Sequence, residues 1–446
     1  MEPITEKPVL KRSLTPLMLW GLGVGYVISG MYFGWNLGLE QGGTLGLAIA
    51  TLFIIVMYIS FTFSYTELAT AIPKAGGGFD YATRALGSNW GFIAGMAQNI
   101  EFIFAPPAIA FAIGAYFNIF FPQIPILVIA VFSYFIFTFL NIRGVKAAAI
   151  FELVITILAV GELLLFAGFM LPHFEFKNLQ HNALPNGIPG IFACIPFAIW
   201  FFLGIEGVAN VAEEAIKPQR TILIGFGTAI LTLVILCILT FTSAIGVGGW
   251  ETIVYAADGS VSDSPLPLAL AKLIGSNNYF YHLLITIGLF GLIASFHGIV
   301  LAAGRASYEF GKVGFAPAAL GKIQPKFRTP ANALLVNMAI GIIALLTGKT
   351  AAIITISVFG ALTLYIISMV AVLQLRKKEP ALERPFKVPL YPLLPITALL
   401  IASFSFIAMC YFNSTLAIIY IAIMVACFTL FSFIKNKGKA PDNSNV

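Results

Sequence analysis

Twelve apolar runs follow one another along the chain, each about as long as the hydrocarbon core of a bilayer is thick. They fall at residues 14–39, 44–71, 90–118, 125–141, 145–171, 189–213, 221–247, 279–308, 331–347, 350–375, 391–412 and 414–434, with short polar breaks between them. Inside that layer every backbone amide and carbonyl must find its partner within the span. The pattern therefore predicts an all-α polytopic membrane protein of twelve transmembrane helices. Composition agrees, with 59% hydrophobic and 10% charged residues in 446, where soluble domains carry roughly 25% charge. The run behind Lys7, Lys11 and Arg12 is far longer than a signal-peptide core, so the first span is expected to stay attached. Cys194, Cys237, Cys410 and Cys427 lie inside apolar runs without C-x-x-C spacing, which suggests neither a disulfide framework nor a zinc site.

The net charge of +6 does not point to nucleic acid, because the basic residues sit in short loops and report topology instead. Of the 25 Lys and Arg, 22 fall on one face, and only Lys177, Lys272 and Lys349 fall on the other. Basic residues are retained on the cytoplasmic side, so both tails, 1–13 and 435–446, are expected in the cytoplasm. Trp20, Trp35, Trp90 and Trp250 stand near span ends, as interfacial aromatics would, whereas Trp200 is deep inside a span.

Spans 1 and 6 are both interrupted by glycine, in GYVISGMYFGWN (25–36) and WFFLGIEGVAN (200–210). Each opens a group of five spans, and spans 3 and 8 are each preceded by a short, partly polar segment, 79–88 and 265–276. Because five is odd, the second group begins on the opposite face. The expectation is an inverted repeat, 14–171 and 189–375, followed by two further spans in 391–434, with a binding site between broken helices at the midplane. Close helix packing is the other use of such glycines.

Four acids lie well inside spans, Glu101, Glu152, Glu162 and Glu206, and no Lys or Arg does. An acid at the bilayer centre costs roughly 2.5–3.5 kcal/mol, so these four must be paired, protonated or wetted. Without basic partners the neutraliser is a proton, a metal ion or a cationic substrate. Glu101, behind Gln98 and Asn99 and ahead of Pro106 and Pro107, is the first candidate for an amine, with Gln98 a further candidate for the substrate site; the other reading of Glu101 is a protonated carboxyl bonded to a neighbouring helix. Glu206, at the span 6 break, reads as a gating or proton-coupling group. Glu152 and Glu162, ten residues apart, do not share a narrow helix face. Ser29 and Gly30 are the small pair at the span 1 break. Tyr32, Trp200 and Phe202 are candidate aromatic walls for an ammonium group, and His297 is a candidate proton relay or a packing residue.

Enzyme and nucleotide patterns fail. KAGGGF (74–79) lacks the spacing of a phosphate loop, and no H-E-x-x-H or G-x-S-x-G occurs. The chain is expected to be no enzyme, to need no cofactor or metal, and to move its substrate down or against gradients.

The stretches ELATAIPKAGGGFDYATRALG (67–87), FFLGIEGVANVAEEAIKPQR (201–220), GRASYEFGKVGFAPAALGKIQPKFRTP (304–330) and RKKEPALERPFKVPLYPLLP (376–395) resemble the amino acid–polyamine–organocation superfamily over nearly the whole chain. VGYVISGMYFGWNLG (24–38), AQNIEFIFAPPA (97–108), GLIASFHGIVLAAGR (291–305) and SVFGALTLYIISMV (357–370) are most similar to bacterial ethanolamine permeases. The resemblance implies a leucine-transporter-type 5+5 inverted repeat plus two helices in the bacterial cytoplasmic membrane. It also implies a small amine, ethanolamine first, as substrate, with an amino acid or polyamine permease or exchanger as the alternative; a coupling ion is expected, a proton before sodium, and the sequence leaves the choice between them open. Carried over, the unwound motif of span 1 falls on Ser29, Gly30 and Met31, and that of span 6 on Phe202, Leu203, Gly204, Ile205 and Glu206. Trp200 matches an aromatic gate, and Glu101 the span 3 acid. Two departures stand out: Met31 occupies a position where many ethanolamine permeases carry an acid, and span 5 lacks the lysine that some proton-coupled relatives use in place of sodium.

Overall fold

The computed structural model describes residues 13–144 and 148–436. The expected tails 1–13 and 435–446 therefore lie almost wholly outside the described residues, as does the first turn of span 5. In chain order the helices are α1 (Pro16–Val27), α2 (Ser29–Tyr32), α3 (Asn36–Ala71), α4 (Gly78–Leu86), α5 (Ser88–Phe120), α6 (Ile126–Arg143), α7 (Ala148–Met170), α8 (Phe176–Gln180), α9 (Gly187–Ala193), α10 (Ile195–Trp200), α11 (Pro218–Gly246), α12 (Glu251–Val254), α13 (Pro265–Ile274), α14 (Tyr279–Lys312), α15 (Ala331–Leu345), α16 (Thr350–Lys378), α17 (Leu393–Phe412) and α18 (Ser414–Asn436). A 3-10 helix, Ile205–Glu214, lies between α10 and α11.

Ten helical stretches among the described residues are long and apolar enough to cross a bilayer. The remaining two expected crossings are span 9, the 15-residue α15, and span 1, which is broken into α1, α2 and the first turns of α3. The helix α3 bends at Gly43 (φ 62°, ψ −170°), so its opening turns finish span 1 and the rest is span 2. Only glycine takes such a φ readily.

Local sequence explains the starts. Thr15 caps α1 by accepting from the Met18 amide at 3.3 Å, and Pro16 stands where no amide partner is needed. Asn278 caps α14 through the Phe280 amide at 2.8 Å. The Pro106–Pro107 pair, expected to distort span 3, is carried within an unbroken α5. The cost is local, since two missing amides leave the carbonyls four residues earlier without their helical donors.

The bundle has an inner set, α1, α5, α14 and α16, and an outer set facing lipid. In α5 the apolar window is 78% buried and in α18 only 17%, as expected where lipid, not water, covers the apolar side chains. The glycines of α1 bring it close to its neighbours: a methyl on Gly21 would meet the Leu153 backbone at 3.2 Å, and one on Gly25 would meet the Glu152 carboxylate at 2.6 Å. Two of the tryptophans expected at the interface are not there. Trp35 is fully buried, stacked on Phe201 and donating to the Met31 carbonyl at 3.1 Å; Trp250 is 4% exposed and donates to the Asn182 carbonyl at 3.0 Å. Position near a span end did not reveal that the chain folds back over both.

Candidate functional site

The interruption of span 1 falls later than the sequence suggested. Ser29–Tyr32 is a helical turn, joined to α1 through a tightened step at Ile28, where the Met31 amide donates to the Ile28 carbonyl at 2.9 Å. The backbone opens at Phe33 (φ −162°, ψ 174°) and Gly34 (φ 88°), and helix resumes at Asn36. The two glycines divide the work. Gly34 supplies the positive φ, and Gly30 supplies closeness, since a methyl on it would lie 2.5 Å from the Trp200 carbonyl oxygen and 3.1 Å from the Phe201 α-carbon.

Trp200 is the last residue of α10, so the break of span 1 faces the break of span 6 backbone to backbone. Span 6 turns at Gly204 (φ 93°, ψ −2°), where the nearest atoms to an added methyl are about 4 Å away; glycine is required there by conformation and not by crowding. The Trp200 indole donates to the Phe33 carbonyl at 3.0 Å, tying one opened backbone to the other. It also walls a small cavity together with Ser29, Ala105, Leu203 and Ile299. That cavity holds about 10 Å³, room for a single water.

One turn before Ala105 on α5 is Glu101, fully buried, and neither of its carboxylate oxygens has a hydrogen-bond partner among the described residues. It faces the Gly204 amide and the Glu206 carboxylate without closing a bond of good geometry to either. Its backbone is clamped by α16: Ser357 donates to the Glu101 carbonyl at 2.8 Å, and Gly360 lies against the Glu101 amide. Glu206 is also fully buried and accepts from the Tyr365 hydroxyl at 2.8 Å. Tyr365 in turn lies 3.2 Å from the Tyr58 hydroxyl, which reaches the Ile199 carbonyl at 3.4 Å. Spans 2, 3, 6 and 10 thus converge on two carboxyl groups with no cationic side chain beside them among the described residues.

Other expected residues go elsewhere. Tyr32 donates to the Glu162 carboxylate at 2.7 Å and stands edge-on to Tyr116, away from the cavity. Gln98 donates to Asn210 at 3.1 Å, and Asn210 to the Ala75 carbonyl at 3.0 Å, which ties α5 to the connection after span 2. Phe202 packs on Tyr58, and Met31 is fully buried. His297 does not join Glu206; its Nδ1 is 3.7 Å from Glu152. Sequence reasoning missed Tyr58, Ser295, Ser357 and Tyr365. Ser295 donates to the Tyr26 carbonyl at 2.7 Å and lies 2.8 Å from the Ser29 hydroxyl. A hydroxyl in an apolar run carries no signal that separates such roles from ordinary helix back-bonding.

A multi-pass bundle whose first and sixth spans break against each other beside a small cavity, with two buried acids close by, belongs to the class of membrane transporters. The family model described as amino acid permease matches residues 14–433, and the chain belongs to that family, within the amino acid–polyamine–organocation superfamily of secondary transporters. It is similar to an uncharacterised transporter of Rhizobium meliloti (strain 1021), 28% identical over 423 residues, covering 91% of this chain and 88% of the relative. It is also similar to the branched-chain amino acid permease BcaP of Bacillus subtilis (strain 168), 24% identical with 95% and 93% of the two chains covered. A third similarity is to the low-affinity putrescine importer PlaP of Escherichia coli (strain K12), at 25% identity with 77% and 76% covered. These are transporters and not enzymes.

Proposed function

We propose that this transporter takes up a small cationic amine, ethanolamine first among candidates, by alternating access around the apposed breaks of spans 1 and 6. The carrying observation is Glu101: a fully buried carboxyl group whose oxygens have no hydrogen-bond partner of good geometry among the described residues, one turn from the cavity and beside a second acid. Two acids in one buried site are costly unless a proton or a cation neutralises one of them, and an ammonium group does so while filling the unused acceptors. The relative named as a putrescine importer supports an amine as substrate. In this reading Ser29, Gly30, Trp200, Leu203 and Gly204 line the path, Glu206 gates, and both termini lie in the cytoplasm of a bacterium whose inner membrane holds the protein. The 5+5 inverted repeat is the frame for the two breaks.

A second reading is favoured by the cavity walls. Ala105, Trp200, Leu203 and Ile299 are apolar and suit an aliphatic amino acid side chain, and one relative is named for branched-chain amino acids. Counterflow in proteoliposomes separates the two. Labelled ethanolamine exchange competed by amino alcohols, and weakened about tenfold or more in affinity by Glu101→Gln, supports the amine. Displacement by neutral amino acids, or unchanged affinity in Glu101→Gln, overturns it.

A further inference from the structure

A second buried titratable pair, this one an acid and a base, lies behind the first break. Glu152 of α7 and His297 of α14 approach to 3.7 Å with side chains 3% and 5% exposed, 145 residues apart in sequence. The other Glu152 oxygen, Oε1, has no hydrogen-bond partner among the described residues, nor does His297 Nδ1 by strict geometry. That Oε1 lies against Gly25 of α1, where an added methyl would come within 2.6 Å, and also within 3.2 Å of one on Gly298. One turn along the same seam, Thr156 donates to the Gly21 carbonyl at 3.1 Å.

Among the described residues the surroundings of the pair are otherwise nearly free of charge. From α1 the Tyr26 hydroxyl faces Glu152, and through Tyr26 the Arg305–Glu214 ion pair is the next charged group among the described residues. From α6 come the Asn141 amide, 3.4 Å from the His297 carbonyl, and the Phe137 ring; from α7 comes the Phe151 ring. With so little to compensate it, the charge of the pair depends on how many protons it holds. One proton makes the pair neutral overall; losing it leaves a bare carboxylate against the glycine face of α1, and gaining a second leaves a bare imidazolium.

We infer that Glu152 and His297 form the proton-binding site through which an ion gradient drives the first span, a role resting on the reading of this chain as an ion-coupled transporter. The proton bound from one side is the proton released on the other, so no other reactant is consumed. Its arrival and departure change the charge pressed against Gly25. That couples protonation to the position of the first half of span 1, at a point four residues before Ser29 and a little over two turns before the break at Phe33.

The test uses the full-length protein in proteoliposomes, comparing wild type with Glu152→Gln, His297→Gln and Glu152→Asp. Two uptake modes are measured with ethanolamine: counterflow at equal pH, and accumulation driven by an inward proton gradient. The expected result is a loss of about tenfold or more in gradient-driven accumulation in the Gln variants with counterflow within about threefold of wild type. Glu152→Asp should keep gradient coupling with a displaced pH profile. Wild-type accumulation in the Gln variants, or an unchanged pH profile in Glu152→Asp where the Gln variants fail to reconstitute, overturns the inference.

If wild type exchanges no ethanolamine, the substrate reading has failed, and a substrate-free readout decides the pair. The protein has four histidines, so a ¹⁵N-histidine titration gives a His297 signal assignable by its loss in His297→Gln. Its midpoint should move by about one pH unit or more in Glu152→Gln if the two groups share protons. An identical titration in both proteins overturns the pairing.

Discussion

Gly30 and Trp200 touch backbone to backbone: the carbonyl oxygen of Trp200 occupies the space that a side chain on residue 30 would need. Backbone cannot swing aside as a flexible side chain can, and overpacking a tight contact costs about 1–3 kcal/mol. Gly30→Ala should therefore disfavour the closed apposition of the two breaks and slow transport by about tenfold or more. Counterflow rate, with apparent melting temperature as the folding control, checks this. A wild-type rate would mean the apposition is not visited during the cycle.

Among the described residues, Tyr365 supplies the one hydroxyl that donates to Glu206. Its removal in Tyr365→Phe leaves a buried acceptor unsatisfied, a loss of about 1–3 kcal/mol. We expect a fall of roughly tenfold in maximal rate, by the same arithmetic, with a smaller change in half-saturation. Tyr58→Phe should matter less, since its own hydrogen bond to Ile199 is long at 3.4 Å. Equal effects in both variants would argue for general packing instead.

A different cluster holds the ends of spans 2 and 10 together. Glu67, 2% exposed, accepts from Arg376 at 2.5 Å and from the Val388 amide at 2.7 Å, with Arg384 at 3.3 Å. Removing one partner of a buried ion pair costs about 3–5 kcal/mol because the other charge is stranded. Glu67→Ala should lower the apparent melting temperature by several degrees, and more than Arg84→Ala, whose partner Glu379 is a third exposed. Thermal scanning in detergent measures both; similar losses would refute the ranking.

Asp263, in the connection after span 7, accepts from Thr350 at 3.0 Å, and burial pushes its carboxyl up to about 6; Asp80, on α4, is raised to about 6 for the same reason. A raised folded-state value means that the native protein binds the proton more tightly than the unfolded chain. The contribution is complete below about pH 4 and is lost as pH rises through about 6. Asp263→Asn keeps an acceptor for Thr350 without the charge, so stability should decline less between pH 4 and 7 than in wild type. Melting temperature against pH reads this directly, and parallel curves would contradict it.

The interrupted spans were legible because glycine in a long apolar run has few uses, and two such clusters stood in corresponding places. Their register was not. Gly30 and Gly34 look alike in sequence, yet one serves proximity and the other a positive φ, and only the packed partner span distinguishes them. The four intramembrane acids were visible as costs, but their partners come from far along the chain: Tyr32 to Glu162 spans 130 residues and Tyr365 to Glu206 spans 159. Trp35 and Trp250 misled for different reasons: Trp35 stands at the break within span 1 against Phe201 and Phe241, and Trp250 is held by the Asn182 carbonyl of a connecting segment.

The ten residues Ile205–Glu214 are wound as a 3-10 helix, which rises about 2.0 Å per residue where an α-helix rises about 1.5 Å. Rewinding them would draw the segment in by about 5 Å while trading each hydrogen bond for one a residue further along. Glu214 is the far end: it grips Arg305 at 2.9 Å, and its carbonyl receives the amides of Ser13 and Leu14 at the foot of span 1. Shortening this leg would pull α14 and the root of α1 by about one α-helical turn. Rewinding these ten residues would thus move two spans by a change in backbone pitch alone.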